Sequence, residues 1–399
     1  MRCLSHDSPN YLNLRNIFLA TLASVTGSFA FRLSMPVVAY YYRFVLEASA
    51  TLVGVLTAIY FIGRAPLAAL AGHLYKGQGS LRFSAFCFAM VAVLMPFYLS
   101  FHDIPGILMI RFVQGALLGY AWTIVQIIVG SSTPKDLRAT IYAIYFLAGS
   151  ASLPLANTVY VLLSSRGPSF LLFLSSAFFL VTGILVWFMK YVKVVRVRER
   201  RMHKEHALLM GSLATYMLLL RLSTAFTTGD IIYVYLCEIY GLGKEGAVAL
   251  LAMVSALSMG ISVPLNFIAD KFSEDLVIYI TGTLTTSGII LFSTNNLTSA
   301  SLGLSLLLIG ARSLTPLSRR VALTYVSYRG VGYIGAAGNV GVLASNLIVG
   351  VVYDLLSINN VTWRIFNPLI IISAPMALAL TLNTSLLLIE LKKVKEESS

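Results

Sequence analysis

Residues 15–40 read RNIFLATLASVTGSFAFRLSMPVVAY, a run of apolar and small side chains with one arginine, Arg32, deep inside it. At about 1.5 Å of rise per residue, a helix of roughly 17 to 25 such residues crosses about 30 Å of hydrocarbon, so this run is long enough to span a bilayer. It is too long and too continuously apolar for a barrel strand, which would alternate over segments of about ten residues. An arginine at the centre of a membrane helix costs about 2.5 to 3.5 kcal/mol. The same costly tripeptide occurs twice: Arg32-Leu33-Ser34 is matched by Arg221-Leu222-Ser223, again inside a long apolar run. The recurrence predicts a duplicated chain with a cation at the same place in each half.

Outward from that run, the whole chain has the same character. Hydrophobic residues make up 58% of the 399, charged residues 11%, and mean hydropathy is +0.83, which excludes a soluble domain. The expected fold is an all-α polytopic membrane protein. Twelve runs are long enough to cross: 15–40, 49–71, 81–101, 104–131, 139–164 and 168–190, then 207–236, 246–269, 275–294, 299–318, 331–356 and 366–390. Between the sixth and seventh lies the one strongly basic linker, KYVKVVRVRERRMHKEH at 190–206. The chain therefore divides into a bundle of six helices over 1–189, the linker 190–206, and a second six-helix bundle over 207–399.

Charge sets the expected orientation. Of the 29 lysines and arginines, only Arg43, Arg166, Lys244 and Arg364 fall in the loops opposite the termini, and Arg32, Arg64, Arg111, Arg221 and Arg312 fall within runs. All others lie on the side of the termini, which places both termini in the cytoplasm of a plasma-membrane protein. The net charge of +13 is then a topology signal, with no reason to invoke nucleic acid, though the linker can also meet anionic headgroups. The sequons Asn296-Leu297-Thr298 and Asn360-Val361-Thr362 fall in loops that this topology puts outside. The first run, with its polar leader, reads as a membrane helix and not as a cleaved signal. Cys3, Cys87 and Cys237 are scattered, the five histidines lie away from run centres, and neither metal-ligand spacing nor a P-loop is present. No enzyme, cofactor or metal site is expected.

After the second run, Gly72-His73-Leu74-Tyr75-Lys76-Gly77-Gln78-Gly79-Ser80-Leu81-Arg82 resembles the major facilitator superfamily signature G-x-L-x-D-R-x-G-R-R, with Lys76 at the acidic position. Its counterpart in the second half, Asn266 to Ser273, has the acid and base as Asp270-Lys271. Arg111-Phe112-Val113-Gln114-Gly115 looks like the family's R-x-x-Q-G, and Pro134 to Ala139 is similar to its P-x-x-x-R-G/A. Arg329-Gly330, Asn339-Val340-Gly341 and Gly350 to Asp354 resemble the family's eleventh helix and the loop before it. The resemblance covers the whole chain. It implies two pseudo-symmetric six-helix bundles, a central cavity lined by the first, fourth, seventh and tenth helices, transport by alternating access, and gating loops that here would use Gly72, Lys76, Gly79, Asp270 and Lys271.

The arginines within runs carry the substrate argument. Five of them facing lipid would cost on the order of 15 kcal/mol, so they must face protein or water. On the implied cavity helices sit Arg32, Arg111, Arg221 and Arg312, against a single interior carboxylate, Asp230. A guanidinium offers two parallel donors to carboxylate or phosphate, which favours an anionic substrate. Arg32, Arg221 and Arg312 are the expected substrate-binding residues, by resemblance to organophosphate exchangers for the first two; a brace between helices is the competing role. Arg111, Asp230 and Arg64 are expected to couple or to hold structure, with Arg64 beside Pro66 placed to satisfy freed carbonyls. The expected function is a secondary transporter, a monomer, for a small organic or phosphorylated anion with a coupling proton or counter-anion. The alternatives are a proton-coupled drug or metabolite exporter and a non-transporting sensor or scaffold. Tyrosines 40–42, with Tyr233, Tyr235 and Tyr240, suit an interfacial belt or an outer gate. The small residues Gly332, Gly335, Gly338, Gly341 and Ala344, which drift round their helix, suit close packing against more than one neighbour.

Overall fold

The computed structural model describes residues 12–75, 77–134, 137–192, 204–271, 273–325, 328–358 and 370–398. The first half is α1 (Leu14–Phe44), α2 (Ala50–His73), α3 (Gln78–Phe97), α4 (Ile104–Ser131), α5 (Arg138–Leu163) and α6 (Pro168–Trp187). The second is α7 (Lys204–Thr224), α8 (Ile231–Ile239), α9 (Lys244–Lys271), α10 (Glu274–Phe292), α11 (Leu297–Tyr325), α12 (Tyr328–Ile358) and α13 (Ile370–Ser398). Among the described residues, twelve helical spans are long and apolar enough to cross a membrane. Helix starts follow local chemistry: Asn13, Ser49, Asp103 and Ser273 each accept an amide from the first turn of α1, α2, α4 and α10. Between α2 and α3 the chain reverses at Gly77, whose φ of +77° a side chain would resist. Gly79, by contrast, sits in the first turn of α3 with open space around it.

The seventh crossing differs from the single helix that 207–236 predicts. It is broken: α7 ends at Thr224, a 3-10 turn covers Ala225–Thr228, and α8 resumes at Ile231. The segment Thr227-Thr228-Gly229-Asp230 explains the break, because Thr, Gly and Asp are weak helix formers in sequence. Gly229 also permits a close approach: a Cβ there would lie 2.0 Å from Asn346 Oδ1 on α12.

Within the first half α2 packs on α4, α3 on α4 and α6, and α1 on α5 and α6; within the second, α7 packs on α12 and α13, α10 on α11 and α13, and α9 on α11. Only small residues let α2 and α4 meet so closely. A Cβ on Gly115 would fall 2.0 Å from the Tyr60 carbonyl oxygen, and one on Gly119 2.4 Å from that of Arg64. The halves join chiefly along α2 with α12 and α5 with α9. If α7 and α8 count as one crossing, these are the second with the eleventh and the fifth with the eighth, so duplication relates one interface to the other. The start of α1 and the end of α13 lie at one end of the bundle, called here the terminal end; the α1–α2 turn marks the far end.

Candidate functional site

The centre of the molecule is built around the break in the seventh crossing. Asp230, 1% exposed, meets Arg111, 0% exposed, which comes from α4 in the other half. Arg111 Nη2 donates to Asp230 Oδ1 in an ion pair. Thr57 of α2 completes the shell: its hydroxyl donates to Asp230 Oδ2 at 2.8 Å and accepts the Asp230 amide at 2.9 Å. Arg111 is further fixed by Gln114 Oε1 at 3.1 Å, which also accepts the Tyr98 hydroxyl at 2.6 Å. The guanidinium lies 5.5 Å from the ring centroids of both Phe31 and Tyr98. Breaking such a pair from one side strands a buried charge, at about 3 to 5 kcal/mol.

Arg32 reaches the same break. Its Nη1 donates to the Thr228 carbonyl at 2.9 Å, across the two halves, and approaches Met35 Sδ at 3.8 Å. Arg32 is half-buried, and Arg64 of α2, Arg312 of α11 and Asp230 all lie within electrostatic range of it. Arg64 rests against Tyr60 and Phe61, 5.8 Å and 5.7 Å from their ring centroids, with the Tyr60 hydroxyl at 3.4 Å. Its nearest partners are thus aromatic, not the carbonyls that Pro66 frees. Arg312 Nη1 donates to the Ser255 carbonyl and to the Ser258 hydroxyl, both on α9. Arg221 faces α11 and α12: its Nη2 donates to Thr315 Oγ1 at 3.1 Å, and its stem packs where Gly338 and Gly341 carry no side chain.

The five arginines are therefore not equivalent. Arg64 and Arg312 each come within electrostatic range of Arg32, Arg111 is paired with Asp230, and Arg221 braces helices of its own half. Among the described residues, no carboxylate lies within ion-pair distance of Arg32, Arg64 or Arg312. A small apolar pocket lined by Leu222, Phe226, Ile289, Phe292 and Met376 lies within the second half and does not include these arginines.

At the far end the halves are clasped. Arg43 at the end of α1 forms a fork to Glu238 of α8, Nε to Oε1 at 2.6 Å and Nη2 to Oε2 at 3.1 Å. Tyr353 of α12 donates its hydroxyl to the same carboxylate. Asp354 accepts the amides of Ala50 at 3.0 Å and Thr51 at 2.7 Å, capping α2 from the other half. Tyr40, Tyr42, Tyr233 and Tyr235 are buried, not set in a lipid-facing belt, and the Tyr40 and Tyr233 rings meet across the halves at 6.3 Å. Sequence reasoning missed Thr57, the Thr228 carbonyl and the partners at the clasp. Gly72 lies in the last turn of α2; Lys76 and residues 193–203 of the linker fall outside the described residues, as do the side chains of Asp270 and Lys271.

Among the described residues, twelve membrane-length helices in two halves joined through a charged centre give the architecture of a polytopic membrane protein, and the family match makes it a transporter. The chain belongs to the Major Facilitator Superfamily, whose family model matches residues 17–318. No curated protein matches it in sequence. Among solved structures it is similar to a POT family transporter in complex with 5-aminolevulinic acid, at TM-score 0.72 and 11% identity, covering 95% of this chain and 96% of that one. A D-xylose-proton symporter gives TM-score 0.68 at 13% identity, with 93% and 97% covered. The human organic anion transporter MFSD10 gives 0.63 at 14% identity, with 95% and 99% covered. At these identities the likeness speaks for the fold.

Proposed function

We propose that this transporter moves a small organic or phosphorylated anion across the plasma membrane by alternating access, with both termini in the cytoplasm. The observation that carries the reading is the charge balance at the centre. Among the described residues, Asp230 is the carboxylate near these arginines and is already bound to Arg111 and Thr57, so Arg32, Arg64 and Arg312 leave the region net positive. Guanidinium groups remain protonated, and in low-dielectric surroundings they favour an oxyanion over a neutral solute. Arg32 and Arg312 are the binding residues in this reading, one from each half, and Arg221 braces α11 and α12 within the second half. Gly72, Lys76, Gly79, Asp270 and Lys271 belong to the gating loops in this reading. The organic anion transporter among the structural neighbours is compatible with this charge preference.

Purified protein in liposomes tests it. Wild type should take up or exchange organic and phosphorylated anions, and Arg32→Ala and Arg312→Ala should each lose most of that flux. Anion transport that survives both changes, or transport indifferent to substrate charge, overturns the assignment. A second reading, proton-coupled export of drugs or metabolites, draws on the buried Arg111–Asp230 pair between the halves. Flux that depends on an imposed proton gradient and not on substrate charge would select it.

A further inference from the structure

The break at 225–230 is held from four sides. Thr57 and Arg111 of the first half hold Asp230, and Ser345 Oγ of α12 accepts the Phe226 amide at 3.1 Å. The fourth tie is the bond from Arg32 to the Thr228 carbonyl. This last one is unlike the others. Arg111 is fully buried and spends its charge on a carboxylate; Arg32 is half-buried and spends one Nη on a neutral carbonyl. The bond from Arg32 to Thr228 has one ionised partner, whereas a carboxylate or phosphate ionises both and matches the guanidinium fork in two places at once. An oxyanion that reaches Arg32 therefore outcompetes Thr228.

We propose that Arg32 exchanges the Thr228 carbonyl for the oxyanion of the substrate, and that this exchange unfastens residues 225–230. The inference rests on the anion reading above and adds a role to it: the substrate loosens a contact between the halves by replacing it. Only a forked acceptor qualifies, a carboxylate or a phosphate. An ester or amide of the same skeleton lacks the charge and leaves the bond to Thr228 in place. The released carbonyl belongs to a helix end, where water can satisfy it, so the exchange leaves no buried orphan.

Hydrogen exchange on the full-length protein in nanodiscs reads the exchange of partners directly. The amides of Phe226, Gly229 and Asp230 are bonded to Ser345 Oγ, the Phe226 carbonyl and Thr57 Oγ1, so their protection reports the fastening of the break. Inorganic phosphate, succinate and phenyl phosphate are the probes, each added at a concentration that saturates its melting shift. Exchange over 225–230 is expected to rise about tenfold with a bound anion while α3 and α6 stay unchanged, the reverse of the protection that ligand binding usually brings. Arg32→Gln should show the raised exchange without anion and no further response. An anion whose binding is lost in Arg312→Gln but which leaves exchange over 225–230 unchanged or slower in wild type overturns this inference and leaves the anion reading standing. Absence of both melting shift and uptake for every probe overturns the two together. The wild-type comparison does not depend on whether Arg32→Gln folds.

Discussion

Asp354 offers the sharpest test of how the halves are held. The first four amides of α2 are all satisfied: those of Ala50 and Thr51 by Asp354 at 3.0 and 2.7 Å, that of Leu52 by Ser49 Oγ at 3.2 Å, and that of Val53 by the Ser49 carbonyl at 3.1 Å. Asp354 belongs to α12, so half of this cap exists only while the far end is closed. Losing a cap costs about 1 kcal/mol, and losing a partly buried negative charge from a helix N-terminus costs about another 1 kcal/mol. Asp354→Ala should therefore disfavour the far-closed form by about 2 kcal/mol, or about 30-fold; Asp354→Asn, which keeps one acceptor, by about 1 kcal/mol, or about fivefold. Spin labels on cysteines at Val45 and Glu245, both exposed at the far end, report the separation once Cys3, Cys87 and Cys237 are replaced. If wild type is closed about 100 to 1, the alanine variant should show roughly a quarter of its molecules in a longer distance population. Superimposable distance distributions, together with an unchanged melting temperature, would refute the reasoning.

Two further outcomes follow from the same contacts. Asp230→Asn and Arg111→Gln should each lower stability by about 3 kcal/mol in detergent melts, whereas the double variant should regain at least half, because no charge is then stranded; strictly additive losses would argue against the pair. Gly341→Ala should destabilise by about 2 kcal/mol, since its Cβ would sit 2.5 Å from the Leu218 carbonyl oxygen, while Gly335→Ala, with nothing within 4 Å, should be neutral or slightly stabilising. Equal effects at the two glycines would remove the packing argument.

How far each feature was legible in the sequence depends on the range of the physics behind it. Hydropathy acts over one helix at a time, and the crossings appear where residues 15–40, 104–131 and 168–190 predict them. The break at 225–230 was also within reach, because Thr227-Thr228-Gly229-Asp230 opposes a helix locally, yet the surrounding apolar run masked it. Arg32 and Arg221 form a sequence pair, but the fold sends one to the Thr228 carbonyl of the opposite half and the other to Thr315 of its own. The tripeptide repeat records the duplication and cannot say which neighbour each copy meets. Asp354 over α2 and Arg43 with Glu238 join residues about 200 to 300 positions apart, and such partners are set by packing alone.

The contacts between the halves differ in how easily they can be exchanged. Arg43 and Glu238 are 24% and 20% exposed in their side chains, so water can take over as they part and the net cost is small. Arg111 and Asp230 are 0% and 2% exposed, and Gln114 Oε1 is already occupied by the Tyr98 hydroxyl as well as by Arg111. Parting them leaves a guanidinium without a ready acceptor unless water or another anion enters with the movement. The far end can therefore loosen first, and the central pair sets the larger barrier. Thr57 and Arg111 anchor Asp230 while Arg32 anchors Thr228, two residues away, so the break is fastened by one costly tie and one exchangeable tie. A substrate anion acting on the exchangeable tie changes the strain on the costly one without first having to break it.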